Sequence, residues 1–346
     1  MSEALMQHAT QTIAVGSKSF AAAAKLFDAD TRRGVLMLYA WCRHCDDVVD
    51  GQELGFAPAA GAPAPHAAGH DPVKELALLR DQTRRAYAGE RMHDPAFAAF
   101  QEVALRHGIE PRHAYDHLAG FAMDVEGARY ETIDDTLRYC YHVAGVVGLM
   151  MASIMGARDP AVLDRACDLG LAFQLTNIAR DIVDDAHIGR CYLPAAWLRE
   201  AGIPQDEIAL PRHREALATI AARLVDHAEP YYESAYAGLA ALPLRSAWAI
   251  ATARLVYRQI GIVVKRRGPH AWDTRAGTSK LTKLWLLLRG GCDALSSRIR
   301  TTSSPRPARL WSRPAADPAA GPAAGPAGGA EGDAANGLHA ARATAA

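Results

Sequence analysis

Two aspartate clusters of equal spacing are the residues best placed to do chemistry in this sequence. Asp46 and Asp50 form the first pair, and Asp181 and Asp185 form the second. Residues four apart share one face of a helix, so each pair would present two mutually repelling carboxylates. Such pairs are typical ligands of Mg²⁺, which takes its remaining ligands from water and substrate phosphates. The clusters therefore predict a magnesium-dependent site for a diphosphate.

Other polar residues accompany the clusters within apolar surroundings. Arg43 precedes the first cluster and Arg180 the second, where each would neutralise a diphosphate or serve as an ordinary ion-pair partner of a neighbouring acid. Gln174 and Asn177 are amides in a helix that otherwise reads as core, and burying such groups without partners is costly. Because Asn177 lies four residues before Asp181, it would share the face of the carboxylates.

The composition excludes several functional classes. The 38 basic and 38 acidic residues cancel to a net charge of +0, which provides no field for nucleic acid, so we expect no nucleic-acid partner. No secretory leader pattern opens the sequence, and we expect a cytoplasmic protein. Six scattered cysteines are too few for a disulfide framework in 346 residues.

The periodicity predicts an all-α fold. Apolar residues recur at helical spacing, and alternating β-type runs between turn signals are missing. We expect one helical bundle with a central cavity over residues 1–300, interrupted by a flexible loop at 56–70 that is rich in Ala, Gly and Pro. The tail, 301–346, repeats Pro, Ala and Gly and is predicted to be disordered.

Two apolar segments raise the question of a membrane. Residues 139–157 carry no formal charge, but their glycines favour a central bundle helix in which Gly145 and Gly148 allow close approach. Residues 281–300 mix leucines with lysines and arginines. This second segment is either the last bundle helix, with a solvated basic face, or a peripheral membrane contact.

Several sequence blocks resemble those of the squalene/phytoene synthases, which are head-to-head prenyl transferases of the all-α isoprenoid synthase fold. The resemblance covers roughly residues 17–289, and the block from Asn177 to Pro194 is the most specific. The matching blocks are Ser17-Lys18-Ser19-Phe20, Tyr39-Ala40-Trp41-Cys42-Arg43 with Asp46 and Asp50, Asp124 with Arg129-Tyr130, Tyr139 through Gly148, and Asn177 through Asp185 to Gly189-Arg190-Cys191-Tyr192-Leu193-Pro194.

The resemblance implies roles for individual residues. The metal ligands, for Mg²⁺ or Mn²⁺, would be Asp46, Asp50, Asn177, Asp181 and Asp185. Catalysis would also involve Tyr39, Arg43 and Tyr257. The substrate-binding set would be Ser17, Ser19, Phe20, Arg43, Tyr139, Gln174, Asn177, Arg180, Tyr257 and Arg267, where Arg267 is chosen over the neighbouring cations Lys265 and Arg266. Ser17 and Ser19 would alternatively cap a helix.

The resemblance also implies the reaction. Two prenyl diphosphates would condense through a cyclopropyl diphosphate, and the small residues at 21–24 favour the C20 substrate geranylgeranyl diphosphate, hence phytoene without NADPH. The alternatives are a dehydrosqualene or squalene synthase that uses farnesyl diphosphate, and a catalytically silent assembly factor. Downstream carotenoid enzymes are candidate partners.

Overall fold

Helices account for every regular element that the structure describes. The structure is a computed structural model and describes residues 2–16, 23–51, 71–299 and 305–314. The long helices are α1 (Ser2–Gly16), α2 (Ala29–Asp50), α3 (Pro72–Tyr87), α4 (Pro95–His107), α5 (Pro111–Val125), α6 (Ile133–Cys140), α7 (Val146–Ile154), α8 (Pro160–His187), α9 (Ala195–Glu200), α10 (Arg214–Gly238), α11 (Leu244–Arg267) and α12 (Lys280–Ile299). The prediction of an all-α fold is confirmed.

Short helical turns join some of these helices. A π-helical turn, Tyr141–Gly145, links α6 to α7, and single 3₁₀ turns occupy Gln205–Glu207, Pro211–His213, Leu239–Ala241 and Gly268–His270. π turns inside helices are uncommon and frequently lie at functional sites.

Capping residues define the helix that carries the first acidic cluster. The side chain of Asp28 accepts hydrogen bonds from the backbone N–H groups of Asp30 and Thr31 at 3.1 and 2.9 Å, which starts α2. Gly51 ends the helix immediately after Asp50, with a φ of 62° that favours glycine. The cluster therefore lies in the last turns of α2.

Helix α8 is the central helix of the bundle and packs against α7, α10 and α11. Two glycines allow this contact to be unusually close. A Cβ atom on Gly148 would lie 2.3 Å from the carbonyl oxygen of Ala166, and one on Gly170 would lie 2.3 Å from that of Ala144. The expectation that Gly148 permits close approach is confirmed, and the neighbour is the backbone of α8.

Two hydrophobic clusters build the interior. One gathers around α8 and α10 and includes Leu171 and Tyr232, and the other surrounds α2 and includes Trp41 and Phe100. The cavity described below has lining residues from both clusters. The site thus lies between the two halves of the core.

The most apolar helical stretch is Ile133–Ile154, which passes through the π turn. It is long and apolar enough to cross a membrane, but 67% of its most apolar window is buried inside the bundle. This burial agrees with the prediction of a central bundle helix.

Residues 305–313 require a correction to the predicted tail, because they pack against the bundle. Arg306 donates to both carboxylate oxygens of the fully buried Asp168 at 2.8 and 2.7 Å. The backbone N–H of Trp311 donates to the hydroxyl of Tyr231, and Arg313 pairs with Asp164. An arginine that satisfies a buried carboxylate stabilises this segment, which Pro/Ala/Gly composition alone does not reveal.

The described residues up to Arg313 form one compact unit. Pro314 is the single described residue of the remaining unit, 314–346. The loop predicted at 56–70 and the tail beyond 314 lie outside the described residues. The domain limits given above stay predictions.

Candidate functional site

The first acidic cluster follows one face of α2. Tyr39, Arg43, Asp46 and Asp50 are three or four residues apart, which is the spacing of neighbours on a helix. The guanidinium of Arg43 forms an ion pair with Asp46. Asp50 is paired with a residue distant in sequence, since Arg190 donates to both of its oxygens, one at 3.0 Å.

The second cluster lies in the last turns of α8. Arg180 donates from Nε to Asp181 Oδ1 at 2.8 Å, and Arg275 donates to Asp181 Oδ2 at 3.2 Å. Asp185 is half-buried one turn further along the same face, whereas Asp184 is exposed. The exposure of Asp184 agrees with its location outside the stripe of Asn177, Asp181 and Asp185.

Arg190 lies between the two clusters. Besides its ion pair with Asp50, its positive charge opposes the rise in the pKa of Asp46 on α2 and of Asp185 on α8. Arg190 lines the same cavity as Asp46 and Asn177. The fold therefore brings the two clusters to one shared site, with the Arg190 guanidinium between them.

The local environment raises the pKa of two of the carboxyl groups. Burial raises the pKa of Asp46 to about 6, against the lowering effect of Arg43. Burial and the neighbouring Asp181 raise the pKa of Asp185 to about 7. Both carboxyl groups are therefore protonated more readily than an ordinary aspartate. Additional positive charge nearby would favour their ionised form.

The carboxylates of the two clusters, together with Asn177, are suited to binding a divalent cation. The side-chain oxygen of Asn177 is buried and has no hydrogen-bond partner among the described residues, while its amide nitrogen donates to Gln174 at 3.3 Å. An unsatisfied oxygen beside carboxylates with raised pKa values is a donor set suited to Mg²⁺. Over the ranges that the structure describes, no three acidic, histidine or cysteine side chains already converge as a closed metal site. Such a cation would therefore need oxygens from water or substrate as well.

Asp124 adds a third acidic position, which sequence reasoning did not include in the site. It accepts hydrogen bonds from the hydroxyls of Tyr139 and Tyr192 at 3.2 and 3.1 Å, and these two rings stack 4.5 Å apart. Burial raises the pKa of Asp124 to about 6, and Arg190 opposes that rise. All three residues, Asp124, Arg190 and Tyr192, lie in the matching sequence blocks. No role was predicted for any of them from the sequence.

A cavity of about 540 Å³ extends from this polar site into the bundle. This volume is typical of small-molecule sites. At the polar end it is lined by Arg43, Asp46, Asp124, Asn177, Arg180, Arg190 and Arg275. Beyond them the walls are mostly apolar, and include Leu38, Val143, Val147, Met151, Leu169 and Ile250.

Aromatic rings line the region between the polar and apolar parts. Phe173 and Tyr257 stack with their centroids 4.2 Å apart, and Tyr39 and Tyr139 also line the cavity. Burial raises the pKa of Tyr257 and of Tyr39, so both hydroxyls are protonated near neutrality. Gln174 lines the same region.

Most of the predicted site residues that the structure describes come together here, but Arg267 does not. Arg267 lies at the end of α11, where it donates to the carbonyl oxygen of Thr274 at 2.8 Å. The chain then turns back, so that Arg275 reaches Asp181 and the cavity. Sequence spacing alone did not reveal this turn. Ser17, Ser19 and Phe20 lie outside the described residues, and the buried Ala24 is not among the cavity-lining side chains.

Comparisons of the sequence and of the structure with known proteins point to the same family. The family model for squalene/phytoene synthase matches residues 13–285. The chain is 65% identical to 15-cis-phytoene synthase of Pantoea ananas over 310 residues, which cover 90% of this chain and 98% of the relative. It is 63% identical to phytoene synthase of Pseudescherichia vulneris, with the same coverage. A solved dehydrosqualene synthase superimposes with a TM-score of 0.74 at 25% identity, over 85% of this chain and 98% of that one. The chain belongs to the squalene/phytoene synthase family.

Proposed function

We propose that this enzyme condenses two molecules of geranylgeranyl diphosphate head to head into phytoene and releases two diphosphates. One observation carries the proposal: an acidic and arginine-rich polar end opens directly into a long apolar cavity. This arrangement fits a substrate with a charged head and a hydrocarbon tail. Relatives at 63 and 65% identity bear the name phytoene synthase, which supports the C20 substrate over the C15 alternative.

The residues that would hold Mg²⁺ or Mn²⁺ are Asp46, Asp50, Asn177, Asp181 and Asp185. When bound, the metal supplies Lewis-acid neutralisation of the charge that develops on the leaving diphosphate. The orphaned oxygen of Asn177 and the raised pKa values of Asp46 and Asp185 support this assignment.

The arginines assist departure of the diphosphate. Arg43, Arg180, Arg190 and Arg275 all line the polar end, and each forms an ion pair with an aspartate. Planar guanidinium groups bind phosphate oxygens in paired hydrogen bonds. We infer that these side chains turn from carboxylate to diphosphate when substrate enters, which stabilises the charge released as the allylic C–O bond breaks.

The apolar walls protect the allylic cation that ionisation leaves behind. Water would convert that cation to an alcohol, and the hydrocarbon lining excludes it. The faces of Phe173, Tyr257, Tyr39 and Tyr139 are available for cation–π stabilisation. The double bond of the second substrate then attacks this cation, and loss of a first proton closes the ring to give a cyclopropyl diphosphate. This intermediate ionises, rearranges and loses a second proton.

The final proton requires an acceptor but no reductant. Buried tyrosine hydroxyls whose pKa values are raised, such as those of Tyr39 and Tyr257, are poor bases. The released diphosphate is the better base because it is anionic and adjacent. Loss of a proton balances the reaction without NADPH, which is the difference from a squalene synthase.

Incubation with C15 and C20 prenyl diphosphates, with and without NADPH, tests this function. We expect a C40 hydrocarbon from geranylgeranyl diphosphate whether or not NADPH is present. A C30 product formed in preference would favour the dehydrosqualene or squalene alternative, and no turnover of either substrate would favour the silent assembly factor.

We further propose that α12 attaches the cytoplasmic enzyme to an anionic membrane. One face of α12 packs on α11, where Gly290 meets Thr252 and Leu286 and Ala294 are buried. The other face forms a continuous stripe at helical spacing, and each of its apolar side chains is more than half exposed. The stripe consists of Leu281, Leu284, Trp285, Leu288, Leu295 and Ile299.

Charge on α12 favours a lipid surface over a second protein. The helix carries Lys280, Lys283, Arg289 and Arg298, against a single acid, the buried Asp293. Basic amphipathic helices bind anionic lipid. In flotation assays with phosphatidylserine vesicles we expect Trp285→Glu to reduce binding, with Leu105→Glu, exposed on α4, as the matched control. Equal binding of both variants would contradict the proposal. A membrane would also pass the water-insoluble product to downstream carotenoid enzymes.

A further inference from the structure

An arginine lines the apolar part of the cavity, far along α8 from the acidic clusters. Arg165 lies in the first half of α8 and lines the cavity together with Val162, Leu239 and Leu242. Among the lining residues in the described part of the chain, the other arginines all pair with aspartates of the polar end. Arg165 instead lies in the hydrocarbon part of the cavity.

The position of Arg165 is fixed by contacts across the end of the cavity. Its guanidinium donates from α8 to the backbone carbonyl oxygen of Ser234 on α10 at 3.0 Å. Its aliphatic stem lies against Gly238, where a Cβ atom would come within 3.1 Å of the Cβ of Arg165. The side chain thus spans the gap between α8 and α10, and the absence of a side chain at Gly238 leaves room for it.

A second layer holds this arrangement in place. The hydroxyl of Ser234 donates to Asp168, one turn after Arg165 on α8. Asp168 in turn accepts both hydrogen bonds of Arg306 from the C-terminal segment. The end of the cavity is therefore a fixed wall of the bundle.

The distance from the polar end to Arg165 matches the length of one substrate. Asp181 and Arg165 are sixteen residues apart on α8, which corresponds to about 24 Å of helix. An extended C20 prenyl chain contains about 15 main-chain bonds near 1.5 Å and spans about 19 Å, to which the diphosphate adds about 5 Å. A C25 chain would be about 5 Å longer, and the arginine side chain occupies about that length.

We propose that Arg165 is a specificity-determining residue that closes the hydrocarbon end of the cavity and limits the prenyl chain to C20. This inference rests on the proposed function, since it assumes that a prenyl chain occupies the cavity. The role is steric: the hydrogen bonds to Ser234 hold the stem across the opening, and the length of the side chain sets the limit.

Calorimetric binding of C20 and C25 prenyl thiolodiphosphates with Mg²⁺ tests this role without requiring turnover. We expect Arg165→Ala to raise the affinity for the C25 compound relative to the C20 compound about tenfold or more, because an additional isoprene unit becomes buried. Arg165→Lys keeps most of the side-chain length and a donor for the carbonyl oxygen of Ser234, and should retain the wild-type ratio. Arg313→Ala, which removes an ion pair on the outer side of the same helix end, is the control and should also retain it.

Two results would overturn the proposal: an unchanged ratio in Arg165→Ala, or a shift in Arg165→Lys equal to that in Arg165→Ala. If Arg165→Ala does not fold, Val162→Phe provides the reverse test, because it shortens the same end and should lower the C20 affinity relative to C15 about tenfold. An unchanged ratio of C20 to C15 affinity in Val162→Phe would also overturn the proposal. Failure of the wild-type enzyme to form a C40 product would instead contradict the proposed function, which product analysis detects separately.

Discussion

The aspartates at the polar end of the cavity are paired with arginines. Asp46, Asp50 and Asp181 each form an ion pair with an arginine. Isolated pairs of this kind contribute little to stability where they are partly exposed. We propose that their value lies in function, with the same guanidinium groups binding phosphate when substrate arrives.

Replacement of Asp181 by Asn should separate function from folding. The change keeps the shape of the side chain but removes the charge that a cation needs. We expect kcat to fall by a factor of about 10³ or more, which corresponds to about 4 kcal/mol of transition-state stabilisation. The melting temperature should change little. The measurement is steady-state turnover of geranylgeranyl diphosphate together with thermal unfolding.

Asp184 supplies the matched control for that variant. It belongs to the same cluster but is exposed and lies outside the face shared by Asn177, Asp181 and Asp185. Asp184→Asn should retain turnover within about twofold. Equal losses in the Asp181 and Asp184 variants would contradict the assignment of individual ligands.

Two histidines on α5 should make stability depend on pH. His113 and His117 are buried, and burial lowers the pKa of each from 6.5 to about 4. Between these values the unfolded chain binds more protons at these two histidines than the folded one, so their contribution to the free energy of unfolding falls as the pH decreases. We expect a slope of about 1.4 kcal/mol per pH unit for each histidine between about pH 6.5 and 4.

Urea unfolding at a series of pH values measures this slope. His113→Leu removes one of the two titrating groups and should roughly halve their joint contribution. His93→Gln, at an exposed position, should leave the slope unchanged. A slope that does not respond to His113→Leu would contradict the account.

At the scale of elements, α8 links both ends of the cavity. Its last turns carry Asn177, Asp181 and Asp185, and its first half carries Arg165 and the buried Asp168. The contact between its middle and the π turn places backbone against backbone at Gly170. Small shifts of α8 should therefore affect the proposed metal ligands and the proposed chain-length limit together.

Gly170→Ala should disturb this contact strongly. The added methyl group would lie 2.3 Å from the carbonyl oxygen of Ala144, so the backbone must move. We expect a loss of stability of about 1–3 kcal/mol from overpacking, accompanied by a reduced kcat. Gly277→Ala is the control, because no atom lies within 4 Å of its Cβ position. Similar melting temperatures for the two variants would show that the helices can separate without cost.

The C-terminal segment should contribute to stability mainly through its buried ion pair. Arg306→Ala would leave the fully buried Asp168 without its arginine. Removing one partner of a buried pair costs about 3–5 kcal/mol, and the remaining hydrogen bond from Ser234 places the expected loss near about 3 kcal/mol. Chemical denaturation measures it. Arg313→Ala, whose partner Asp164 is more exposed, should cost less than about 1 kcal/mol.

At the scale of the whole molecule, sequence reasoning predicted what depends on local pattern. Helical periodicity predicted the all-α fold. The four-residue spacing predicted that Asp46 shares a helix face with Asp50, and Asn177 with Asp181. Contacts between distant residues were not predictable in this way. The turn that brings Arg275 to Asp181, the pairing of Arg190 with Asp50 and the docking of Arg306 on Asp168 all depend on tertiary packing.

The central claim is that the two acidic clusters together bind a metal and a diphosphate at the end of a hydrocarbon cavity. Calorimetric binding of a C20 prenyl thiolodiphosphate, with Mg²⁺ and with EDTA, tests it most directly. We predict binding at least about 100-fold tighter with Mg²⁺, or about 2.7 kcal/mol, and loss of this difference in both Asp50→Asn and Asp181→Asn. Equal affinity in Mg²⁺ and EDTA, or a metal effect that survives the loss of either cluster, would contradict the account.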